Sequence, residues 1–150
     1  MERKKIEDVL EKEGMYVATI AGISMYPMLR NRRDTVVIKT YEGRLKKFDV
    51  PLYKVGDRYI LHRIIKVLPD SYVIRGDNLE QKEYGISEKN ILGVLSTFYR
   101  DEKEIDMNGF GYKAYVYIWH YIFYLRVFIK KVYHRLRRRR VVHAGNDIIG

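Results

Sequence analysis

Three residues of this chain have types and settings that suit acyl transfer: Ser24, His62 and Asp77. Ser24 lies in Gly22-Ile23-Ser24-Met25-Tyr26-Pro27-Met28-Leu29, a turn-like stretch after a β-like run. A serine hydroxyl is a weak nucleophile at neutral pH and needs a neighbouring base to take its proton. His62, in Tyr59-Ile60-Leu61-His62-Arg63-Ile64, has the right side chain for that, because an imidazole titrates near working pH. Asp77, in Arg75-Gly76-Asp77-Asn78, offers a carboxylate that can hold the imidazole tautomer and stabilise the imidazolium. Spacing along the chain does not bring the three together, and each has a plainer reading. Ser24 can be a turn serine, His62 a packed core histidine, and Asp77 a turn former. Asp34 and Asp49 read as structural turn carboxylates. Arg63, next to His62 in an alternating strand, is expected on the opposite face, exposed or in a salt bridge.

The elements around these residues are mostly β. Val-, Ile-, Tyr- and Thr-rich runs at Tyr16–Ala21, Thr35–Thr40, Tyr59–Val67, Tyr72–Arg75 and Ile91–Tyr99 are separated by Gly, Pro, Asp and Asn. Residues 2–13 read as a short charged helix with one apolar stripe, Ile6, Val9 and Leu10, and a stop at Gly14. Residues 101–109 read as a polar connector. Beyond them, Ile118, Ile122, Leu125, Ile129, Val132 and Leu136 recur at spacings of four and three, which predicts a long helix with one apolar side. The expectation is a mainly β domain over residues 1–109 and an aromatic, basic helix and tail over 110–150.

Composition removes several classes of function. There is no cysteine, which excludes disulfides, a thiol nucleophile and cysteine-ligated metals. His120, His134 and His143 lack the spacing of a metal site, and no cofactor is implied. The net charge of +10 suggests nucleic acid at first, but it is unevenly placed. Residues 1–109 hold 20 Lys/Arg against 18 Asp/Glu, whereas residues 110–150 hold 9 against the single Asp147. The charge belongs to the tail. Three readings of the tail stand beside one another: a transmembrane helix over Tyr112–Ile129, an interfacial helix on an anionic membrane, and a helix packing its stripe on the body or a partner. Nucleic acid has no motif behind it. Neither a secretory signal peptide nor an N-terminal span is visible, which favours a cytoplasmic or peripheral-membrane location.

Taken together and in order, these segments resemble the type I signal peptidase and SOS-repressor superfamily. Gly-x-Ser-Met-x-Pro-x-Leu, followed by Asp34-Thr35-Val36-Val37-Ile38, is similar to that family's nucleophile region. Lys47–Val67 resembles its general-base block, Arg75-Gly76-Asp77-Asn78 its Gly-Asp-Asn box, and Ile91–Leu95 its closing strand. The resemblance covers about residues 15–99. It implies a complex β fold of the signal-peptidase kind, Ser24 as nucleophile and His62 as general base. Histidine in that place is the habit of the endoplasmic-reticulum and archaeal enzymes. Asp77 is implied to orient the histidine, and the Ser24 N–H to help form the oxyanion hole. The implied activity is endoproteolysis of a peptide or pre-protein. A catalytically silent peptide-binding or membrane-associated module of the same fold, and a self-cleaving regulator, remain open. The only Ala-Gly bond outside the nucleophile segment, for the latter, is Ala144-Gly145.

Two departures stand out. Gly22 lies where some bacterial members carry a hydroxyl, and Arg33-Asp34 replaces their Gly-Asp. The anchor that usually precedes Ser-Met-x-Pro, and the repressors' DNA-binding domain, are both missing from residues 1–23.

Overall fold

A computed structural model describes residues 5–144, with side chains through Arg137. The chain forms two compact units that divide between Lys113 and Ala114.

The first unit is β in character. Helix α1 (Ile6–Glu13) comes first, with Leu10 buried, and it ends where Gly14 turns left-handed at φ 70°. The Gly14 N–H then donates to the Leu10 carbonyl at 2.8 Å, closing the last turn as a glycine after a helix commonly does. Strands β1 (Met15–Thr19), β2 (Thr35–Lys39), β3 (Pro51–Val55), β4 (Arg58–Leu61) and β8 (Ile91–Arg100) form one antiparallel sheet in the order β1-β2-β8-β3-β4. A short strand β9 (Lys103–Ile105) pairs with the end of β8, inside the segment expected to be a plain connector. Strands β5 (Arg63–Val67), β6 (Tyr72–Arg75) and β7 (Glu83–Ile86) make a second, three-stranded sheet. The fold is therefore mainly β with a short first helix and a long last one.

Two places bend this structure. The β2–β8 and β3–β8 registers each slip by a bulge, which curls the large sheet. Gly93 sits at the tight point: a Cβ there would lie 2.7 Å from Ile38 Cγ2 and 2.8 Å from the Lys39 carbonyl oxygen. The other bend is at His62. The single strand expected over Tyr59–Val67 is two strands, and His62 is the residue between them, where the chain leaves one sheet for the other. The core joins the sheets at this point, with Tyr53 and Ile91 from the first packed among Ile64, Tyr72, Ile74 and Ile86 of the second.

The second unit is helical. Helix α2 runs Phe110–Ala144, beginning in the first unit and continuing through the second, about 52 Å at 1.5 Å per residue. No described helix is long and apolar enough to cross a membrane. The expected stretches at residues 1–4 and at Gly145, hence the Ala144–Gly145 bond, reach outside the described residues.

Candidate active site

Ser24 is delivered by a loop that other residues hold rigid. The chain leaves β1, passes Gly22 at φ 103°, and turns at Ser24–Met28. That φ is one a side chain rarely adopts, which gives a backbone reason for glycine at this position. The Gly22 N–H donates to Asn31 Oδ1 at 2.9 Å. Asp34, fully buried, takes the Arg30 N–H and Nε at 2.9 Å each and pairs with Arg30 Nη2 at 2.7 Å. Arg100, from the far end of β8, donates to the Pro27 and Met28 carbonyls. Asp34 is thus the structural carboxylate expected of it. Asp49 is as well, accepting the Lys46 N–H at 2.7 Å. The non-glycine residue of this loop that is left-handed is Arg32, at φ 56°, while Arg33 is not, so a side chain directly before Asp34 costs no strain.

The Gly-Asp-Asn turn grips the same loop from the other side. The Asn78 N–H donates to the Ser24 carbonyl at 2.8 Å, and Asn78 Nδ2 to the Ile23 carbonyl at 3.3 Å. A Cβ at residue 76 would lie 2.6 Å from the Ser24 carbonyl oxygen, so only glycine allows this approach. Asp77 does not take the place expected for it. Both its oxygens are met by Arg63, Nε to Oδ1 and Nη2 to Oδ2 at 2.8 Å each, with both side chains about 95% buried. Arg63 also donates to the Phe48 carbonyl at 3.1 Å and to the Tyr112 hydroxyl at 3.0 Å. Burial opposes its charge, but the attraction and hydrogen bonds of Asp77 outweigh that, and the guanidinium is held more firmly protonated than usual. Arg63 is therefore salt-bridged and buried, not exposed. The strand break explains it: alternation fails where the chain changes sheets, and two successive side chains both turn inward.

The carboxylate beside the histidine is Glu83, at the start of β7. His62 Nδ1 lies 2.9 Å from Glu83 Oε1 and 3.0 Å from the Tyr53 hydroxyl. Tyr53 is itself hydrogen-bonded to Glu83, and its hydroxyl is pushed up, by burial first and then by that carboxylate. A carboxylate only accepts, so it takes the Nδ1–H and the Tyr53 O–H together. That network assigns the proton to Nδ1 and leaves the imidazole lone pair on Nε2. His62 is 6% exposed, and its pKa is lowered because burial disfavours the imidazolium; Glu83, and Asp77 more distantly, oppose the shift. The ring is neutral at pH 7. Sequence reasoning missed both Glu83 and Tyr53. The polar stretch Leu79–Tyr84 holds two carboxylates, Glu80 and Glu83, and only the β6–β7 pairing, with Ile74 opposite Glu83, decides which one turns toward His62.

Ser24, His62 and Glu83 line one cleft of about 710 Å³. Its floor is the curled sheet. Tyr16 pairs with Ile38 and Ala18 with Val36 across β1 and β2, so these four share a face, and all four line the cleft. Leu52, Ile60, Leu61 and Leu79 continue an apolar wall, interrupted by Arg58. The arrangement has the parts of an acyl-transfer site: a hydroxyl in a rigid turn, a neutral imidazole with its tautomer fixed, and two carboxylates beside them, Asp77 buried and Glu83 partly exposed. Among the described residues no cluster of His, Asp or Glu could hold a metal ion. No protein-family model matches the sequence, and no curated protein matches it.

Proposed function

We propose that this chain is a serine endopeptidase in which Ser24 is the nucleophile, His62 the general base and Glu83 the group that orients the base. The observation that carries this reading is the shared cleft, in which Ser24 lies with a histidine whose Nδ1 is held by an acceptor-only carboxylate. Ser24 Oγ attacks the scissile carbonyl carbon while His62 Nε2 takes its proton. The imidazolium so formed is stabilised by Glu83, and backbone donors at Ser24 offset the charge growing on the carbonyl oxygen. When the C–N bond breaks, Nε2 returns the proton to the leaving amine and an ester to Ser24 remains. Water then repeats the sequence, freeing the acid and the serine. Asp77 serves indirectly: through Arg63 and Asn78 it braces the turn that carries Ser24 against the element that carries His62.

The substrate side follows from β1. Around it, Thr40 N–H donates to the Gly14 carbonyl, Ile20 N–H to the Asp34 carbonyl, and Arg32 N–H to the Ile20 carbonyl. Even-numbered residues thus bond inward, and by the alternation of an antiparallel ladder the backbone groups of Val17 and Thr19 face the sheet's outer edge. β1 is the end strand of its sheet, so a peptide can add to it as one more strand. Its side chains would meet an apolar cleft floor, which suits a peptide or pre-protein with apolar residues near the cut.

Labelling with a serine-reactive phosphonate tests the reading. Wild type is expected to label at one site, Ser24→Ala not at all, and His62→Ala far more slowly. Wild-type labelling that survives Ser24→Ala, or no labelling between pH 5 and 9, would refute it.

A further inference from the structure

Helix α2 carries nine Lys/Arg in its sequence and no Asp or Glu. The apolar stripe from Ile118 to Leu136 is exposed, each of its six side chains by 40–57%. At 100° per residue the stripe, together with Tyr121 and Phe128, fills one arc of the helix. Arg126, Lys130 and Arg137 fall outside that arc, and the Arg126 guanidinium stacks 4.1 Å above the Trp119 ring. One surface thus offers aliphatic side chains in the middle, aromatic rings beside them and cations at the margins, with nothing to repel an anion.

We propose that α2 is a peripheral membrane anchor that lies flat in the interface of an anionic bilayer, its stripe among the acyl chains and its cations at the headgroup phosphates. This inference is independent of the peptidase reading. Charge complementarity selects a surface of negative sign, and the stripe selects among such surfaces. A nucleic acid would neutralise the cations but leave six exposed aliphatic side chains in water, whereas a lipid interface takes both groups at once. A spanning helix is a poor fit, since Arg126, Lys130 and Lys131 interrupt the apolar sequence and no described helix is apolar enough to cross.

The test is co-sedimentation of the full chain with vesicles of phosphatidylcholine alone and of phosphatidylcholine with about one-third phosphatidylglycerol, at near-physiological salt. Wild type should pellet with the anionic vesicles and not with the neutral ones. Two variants probe the two halves of the surface. Leu125→Gln with Ile129→Gln should weaken binding about tenfold or more, and Arg126→Gln, Lys130→Gln and Arg137→Gln together about a hundredfold. All five positions are exposed, so thermal melting should be unchanged and loss of fold is distinguishable from loss of binding. Failure to bind anionic vesicles, equal binding to neutral ones, or wild-type affinity in the Leu125/Ile129 variant would overturn the proposal. Displacement from the vesicles by a short single-stranded RNA would overturn it in favour of nucleic acid.

Discussion

His62 and Arg63 are neighbours in sequence, both buried, each bound to a carboxylate, yet the two regions they anchor are built for different work. Around Arg63 everything is closed. Asp77 meets it with two parallel hydrogen bonds, both partners are about 95% buried, and the pair ties Phe48, Met28 and Tyr112 together. Around His62 the network is open on one side. Glu83 keeps 30% of its side chain exposed, the cleft adjoins it, and burial leaves the imidazole neutral. A fully desolvated ion pair with every bond made is a structural brace, because removing either partner strands a charge. A half-open histidine–carboxylate pair can gain and lose a proton during a reaction. The sequence neighbours differ because one carries a permanent charge and the other a conditional one.

The largest test of that contrast is Glu83→Gln. The amide can donate to Nδ1 and so release the tautomer, and kcat/KM should fall by about 10²–10⁴-fold while the melting temperature hardly moves. If the loss is instead in stability, the two networks are of one kind. Asp77→Ala makes the opposite prediction: an unpaired buried guanidinium should destabilise the fold by about 3–5 kcal/mol, seen as a lowered midpoint in urea. Should it fold normally and lose only turnover, Asp77 would belong with the base. Gly93→Ala, remote from both carboxylates, should cost about 1–3 kcal/mol through the clash with Ile38 and the Lys39 backbone. Tyr53→Phe should be milder, removing one hydrogen bond from Glu83 at about 1 kcal/mol, or roughly fivefold in kcat/KM.

The smallest effect is on pH. Because burial lowers the His62 pKa, the neutral ring that the proposed reaction requires should persist below the ordinary imidazole value of about 6.5. The acid limb of kcat/KM should therefore lie below that value in the wild type. Stability carries the same sign. As pH falls through about 6.5 the unfolded chain takes up a proton on this histidine before the folded one does. Stability from this group should then decline until the folded ring also protonates, and His62→Gln should flatten that part of the profile.

Much of this was legible in the chain itself. Runs rich in Val, Ile, Tyr and Thr, bounded by Gly, Pro, Asp and Asn, located β1, β2, β6 and β8 to within a residue or two, since β-branched and aromatic side chains suit strands and turn residues end them. The four- and three-residue spacing from Ile118 to Leu136 located α2. Strands β3, β7 and β9 were not legible. They are short, β3 opens on Pro51 and β7 and β9 open on charged residues, and they form because β8 and β6 offer them edges to pair with. The motif residues show the same division. Gly76 and Asn78 were visible as a turn, but the reason for the glycine is the Ser24 carbonyl, 52 residues earlier in the chain.

By itself, then, the sequence determined the mainly β body, the long basic helix, and the identities of a candidate nucleophile and base. It did so because local periodicity and turn chemistry act between residues a few positions apart. Tertiary structure decided which carboxylate serves which partner. Nothing in the run from Asp77 to Glu83 distinguishes a brace from an orienting group. The choice is made where the chain breaks at His62 and crosses between sheets, turning two adjacent side chains inward toward different neighbours: Asp77 on one side, Glu83 on the other.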